Sequence, residues 1–108
     1  MTGNEYQKLA LRTANEDCFN LANAGLGLTG EAGEVGDIIK KHLFHKHELD
    51  KEHLAKELGD VMWYVALTAS LIGYELDEVM HMNVDKLRKR YPDGFKTELS
   101  QHRKEGDV

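Results

Sequence analysis

A chain of 108 residues with 41% hydrophobic residues is sized for one domain with a modest core, and it lies far from disordered composition. Its net charge of −5 argues against a nucleic-acid polymer as partner, although a single nucleotide needs only a local cluster. The one cysteine, Cys18, excludes an intramolecular disulfide and reads as a small core residue.

Residues 4–24 place Tyr6, Leu9, Ala10, Thr13, Ala14, Phe19, Leu21 and Ala24 at near-helical spacing, with Thr2 or Asn4 to cap the start. Gly25-Leu26-Gly27-Leu28-Thr29-Gly30 interrupts that pattern. It matches G-x-G-x-x-G literally, but the dinucleotide fingerprint has meaning only after a strand, and residues 18–24 read as helix. An interhelical loop with a glycine C-cap is expected here, with Thr29 near the next N-cap. A second helix over 29–45 buries Ala32, Val35, Ile38, Ile39, Leu43 and Phe44. Gly30, Gly33 and Gly36 recur within it, each unfavourable by about 1 kcal/mol against alanine. They are expected to let another helix or a ligand approach the backbone. His42, His45 and His47, among Lys40, Lys41 and Lys46, read as a solvated helix C-terminus favoured by the dipole.

Asp50 is a good N-cap for a third helix, whose run from Leu54 to Ile72 is apolar nearly all round and so should be buried. Yet Glu57 and Asp60 share one of its faces at i and i+3, and Tyr64 continues the stripe. Trp63 projects elsewhere on the helix and is read as core rather than as a base-stacking residue. Gly73 should end this helix, and a fourth should run over Leu76–Arg90, with Asn83, Lys86 and Arg90 as a polar stripe. Tyr91-Pro92-Asp93-Gly94-Phe95 stops it by turn chemistry. The expected fold is all-α: a four-helix-bundle-like domain over 1–95, completed by oligomerisation, with a polar tail over 96–108 that is mobile or a short helix. No signal peptide or membrane-spanning stretch is read, so no membrane is expected as partner and the location is read as cytoplasmic.

Buried acids are rare unless paired or bound to a cation. Glu31 and Glu34 on the second helix match the Glu57/Asp60 pair on the third, and two such pairs on packed helices converge four carboxylates. Oxygen-only ligands suit Mg²⁺ or Mn²⁺ rather than Zn²⁺, and a carboxylate-held Mg²⁺ with open positions typically binds substrate phosphates.

Gly30-Glu31-Ala32-Gly33-Glu34-Val35, then Glu57-Leu58-Gly59-Asp60-Val61-Met62-Trp63-Tyr64, then Asn83-x-x-Lys86-Leu87-x-x-Arg90-Tyr91-Pro92 resemble the MazG-like nucleotide pyrophosphohydrolases, over roughly residues 26–95. The resemblance implies an all-α homodimer or dimer of dimers that cleaves nucleoside triphosphates to monophosphate and pyrophosphate with Mg²⁺. It implies Glu31, Glu34, Glu57 and Asp60 as metal ligands, and Asn83, Lys86 and Arg90 as phosphate contacts. Tyr64, on the acid stripe, is a further phosphate candidate. Glu34 is the candidate base toward the attacking water. The family's first motif often has two adjacent glutamates, and Gly30 stands at the first, which bears on the number of metal ions. Arg12, Asn15 and Phe19 are candidates for base selection. Two other readings compete. A di-iron protein uses E-x-x-H on two helices, and only Glu78-Val79-Met80-His81 has that form at a suitable place. A non-catalytic helical oligomerisation or partner-binding module fits the glycine face equally well.

Overall fold

Short polar residues open the first elements of the computed structural model, which describes residues 1–103 and 106–108. Thr2 accepts from the Glu5 backbone N–H at 3.0 Å, and the Glu5 carboxylate accepts from that of Thr2, starting α1 (Gly3–Leu11). Asn15 starts a 3₁₀ turn, Glu16–Cys18. Asn20 accepts from Asn23 N–H at 2.7 Å and opens α2 (Leu21–Phe44). Asp50 opens α3 (Lys51–Leu71) in the expected way, accepting from His53 N–H at 3.0 Å. Then come α4 (Leu76–Arg90) and a short α5 (Thr97–Gln101), with no strand among the described residues.

Two expectations are corrected. The helix foreseen over 4–24 ends at Leu11, and the stretch Gly25 to Gly30 lies inside α2 instead of linking two helices. Packing against α3 overrides the weak helix propensity of glycine here. Gly27 is where the ring of Tyr64 rests: a Cβ at that position would lie 2.1 Å from the ring. The close approach expected at Gly30, Gly33 and Gly36 is not made among the described residues, none of which stands within 4 Å of an added Cβ. Thr29 caps nothing; its hydroxyl donates one turn back to Gly25 O at 3.0 Å.

α2 and α3 pack along each other, while α1 bridges α3 and α4. Gln7 of α1 makes that bridge. Its amide donates to Ser70 Oγ at 2.9 Å, Tyr74 O at 3.2 Å and Ala66 O at 3.3 Å, and accepts from Leu76 N–H at 2.8 Å. One turn earlier, Asn4 accepts from Asp77 N–H at 2.9 Å. The free N–H groups at the start of α4 are therefore capped from another helix. Gly73, at φ +83°, makes the turn just past α3.

The buried core is small: Ala24, Ala66, Leu67, Ala69 and Leu76. The deep burial expected for the whole third helix holds only toward its C-terminal end, since Leu58 and Met62 are each half exposed. Leu26, Leu43 and Phe44 of α2 are more exposed still. The accessible surface is 8304 Å² for a 12.3 kDa chain, against about 6100 Å² for a compact monomer of that mass. The radius of gyration is 16.8 Å, against about 13 Å. The tail folds back, with Asp107 accepting from Arg90 Nε at 2.8 Å and from the terminal guanidinium nitrogen at 2.7 Å. No described helix is long and apolar enough to cross a membrane.

Candidate functional site

Where α2 and α3 pack, Glu31 of the first faces Glu57 and Asp60 of the second. One carboxylate oxygen from each of the three lies within 4.8 Å of the other two. Glu31 Oε2 and Glu57 Oε2 are buried, and no hydrogen-bond donor of the described residues reaches them. Such oxygens are unfavourable unless a cation or a proton compensates them. The contact made by Glu57 is on its other oxygen, 3.4 Å from His53 Nε2 one turn back.

Glu34 stands at the solvent edge of this group. In its protonated form it can hydrogen-bond to Glu57, and this, then the charge of Glu57, raises its carboxyl above the ordinary glutamate range. Glu31 is raised by loss of hydration first and then by the charges of Glu34, Asp60 and Glu57. The four acids are thus in electrostatic range of one another. An all-oxygen set of this kind suits a hard divalent cation, with Glu31, Glu57 and Asp60 nearest to converging on one point.

Thr13, Glu31, Asp60, Trp63 and Tyr64 line an open cavity of about 370 Å³ beside the acids. Tyr64 lies where its stripe predicts. Trp63 is half-buried and lines the cavity too, which corrects its reading as core. The signal was present: position 63 is i+3 from Asp60, on the same face as i+4. Its indole N–H is held by Ala10 O at 2.9 Å and Thr13 Oγ1 at 3.0 Å. Arg12, Asn15 and Phe19 do not line this cavity, and Asn15 is occupied with its 3₁₀ turn. The sequence places Tyr6 on the first helix but does not foresee it beside the acids. Its hydroxyl lies 3.5 Å from Gly59 O, and burial and then Asp60 raise it above the ordinary tyrosine range, so it stays protonated.

The stripe on α4 lies elsewhere within the chain. Lys86 and Arg90 line a second, partly open cavity of about 600 Å³ bordered by His102, Arg103 and Asp107, and Asn83 is exposed. Arg90 is committed to Asp107. Glu78, of the lone E-x-x-H string, accepts from Glu75 N–H at 3.0 Å, a helix-start contact that leaves the di-iron reading without support.

These features define an all-α domain with a carboxylate cluster between two packed helices, suited to a divalent cation. Residues 19–95 match the model of the MazG nucleotide pyrophosphohydrolase domain, and the chain belongs to that family. It is 40% identical over 74 residues to the Gene 37 protein of Mycobacterium phage L5, a match covering 65% of each chain. It is 30% identical over 73 residues to the uncharacterized protein YvdC of Bacillus subtilis (strain 168), covering 59% of this chain and 69% of that one. The match therefore spans just under two thirds of the phage relative. No solved structure matches the chain significantly.

Proposed function

We propose that the protein is a Mg²⁺-dependent nucleoside triphosphate pyrophosphohydrolase, releasing (d)NMP and pyrophosphate and clearing unwanted nucleotides from the cytoplasmic pool. The observation that carries this reading is the pair of buried, unpartnered oxygens, Glu31 Oε2 and Glu57 Oε2, in a chain of this family. Glu31, Glu34, Glu57 and Asp60 hold the ion, and Mn²⁺ can substitute because the donor set is all oxygen. When bound, the ion neutralises the acids toward an anionic substrate, stabilises charge on the phosphate oxygens and acidifies a water.

Glu34 then acts as base toward the attacking water. In support, it sits at the exposed edge of the cluster with a raised proton affinity. Tyr64 donates its hydroxyl to a phosphate oxygen from the cavity wall. Asn83 and Lys86 grip phosphate, and Arg90 joins them by exchanging Asp107 for it. Within one chain Lys86 and Arg90 open onto a different cavity, so this reading needs an assembly that brings an α4 to the carboxylates. A homodimer or dimer of dimers would do so, and the excess exposed surface of the single chain supports one.

The test is pyrophosphate release by the purified chain from a panel of canonical and damaged (d)NTPs, with Mg²⁺, with Mn²⁺ and with chelator. Release that needs the ion is expected. Hydrolysis of no nucleoside triphosphate under any divalent ion overturns the reading. No thermal shift with either ion, alone or with nucleotide, would instead favour the non-catalytic module.

A further inference from the structure

Trp63 is the chain's one tryptophan, and its surroundings exceed what a packing residue needs. Its N–H is fixed by Ala10 O and Thr13 Oγ1, and Thr13 in turn donates to Ala10 O at 2.7 Å. Its ring meets Tyr64 edge to face, with centroids 5.0 Å apart at 78°. Tyr64 is backed by the notch at Gly27, where no side chain fits. Two aromatic rings are thus braced from opposite sides. They share one cavity with Glu31 and Asp60. A tie between α1 and α3 would not require the indole to line that cavity.

A ligand complementary to this wall has a planar π-system at one end and a group bridged to carboxylates by a cation at the other. A nucleoside phosphate has both. We infer that Trp63 is the surface on which the nucleobase stacks, with Thr13 as its positioning residue; this rests on the nucleotide reading above and places the nucleoside within it. Because the indole N–H is already committed, Trp63 offers a π-face and no hydrogen bond. Stacking of that kind accepts every base, so Trp63 supplies affinity for the nucleoside without choosing among bases.

The single tryptophan makes the test site-specific. The full chain with Mg²⁺ is titrated with α,β-imido nucleoside triphosphates of each common base and with inorganic tripolyphosphate. Tryptophan emission and calorimetry are followed in parallel. The nucleotides should change the emission, while tripolyphosphate should bind without doing so. Nucleotide binding seen by calorimetry with unchanged emission overturns the stacking assignment alone, as does an identical emission change with tripolyphosphate. Binding of neither ligand removes the nucleotide reading itself, and the stacking with it. Two variants separate stacking from the tie. Trp63→Phe keeps a face and loses the N–H; Trp63→Leu loses both. Trp63→Leu should raise KM for nucleotide on the order of ten- to a hundredfold, and Trp63→Phe only a few-fold. Equal losses in the two would mean that the N–H tie alone matters and would overturn the inference. Thr13→Val should raise nucleotide KM while leaving tripolyphosphate affinity unchanged, and Thr13→Ser should restore it.

Discussion

Glu57 and Asp60 can be neutralised with almost no change of shape, so they probe the acid cluster with little collateral damage. In Glu57→Gln or Asp60→Asn, pyrophosphate release should fall by at least about a hundredfold, with part recovered at higher Mg²⁺. The thermal midpoint without metal should hold or rise, because uncompensated acids repel one another. Lys86→Ala leaves the carboxylates intact, so added Mg²⁺ should not rescue it, and its loss should be shared between kcat and KM. Near wild-type activity of both acid variants at low Mg²⁺ would refute the assignment. The pH dependence has a definite sign. Glu31 and Glu34 bind protons more tightly folded than unfolded. Their contribution to metal-free stability is full below the ordinary glutamate range and is lost as pH rises through their raised values. In chelator the thermal midpoint should therefore fall as pH rises above the ordinary glutamate range, and Mg²⁺ should shrink that fall by favouring the charged forms. Asp107, lowered by its hydrogen bonds to Arg90, acts in the opposite sense at lower pH and does not mask the effect. The acid pairs were visible in the sequence because i, i+3 spacing fixes a face. The partners of Trp63 were not, because Ala10 and Thr13 lie 53 and 50 residues away.

Two glycines of α2 give a sharp test at the level of the helix. Gly25 has open space around an added Cβ, and Gly27 has the Tyr64 ring. Gly25→Ala should stabilise by up to about 1 kcal/mol through helix propensity. Gly27→Ala should destabilise by about 1–3 kcal/mol through overpacking. Urea unfolding midpoints read both, and a gain in both would refute the packing of Tyr64 on α2. The same glycines explain what could be read in advance. Caps at Thr2 and Asp50 and the turn at Gly73 are local chemistry, and the α4 boundaries followed from such signals. The start of α2 was missed because a run of glycines signals a break when neighbours are unknown. Its reason for being helical lies on another helix, some 37 residues on.

For the whole molecule, the prediction is an assembly. A chain with 8304 Å² of accessible surface and Leu26, Leu43 and Phe44 turned outward should not persist as a monomer. Light scattering should return at least twice the chain mass, and the thermal midpoint should rise with protein concentration. A monomer at high micromolar concentration would refute this and would leave Lys86 without a route to the carboxylates of a second copy.

The clamp that Gln7 places on α4 also sets an order in time. Gln7 is made 69 residues before its partner Leu76. At about 5–20 residues per second the wait is roughly 3–14 s. α2 and α3 are neighbours in the chain and can pair during that interval. The first helix can settle on α3 in that time, but its clamp closes only when the fourth helix begins.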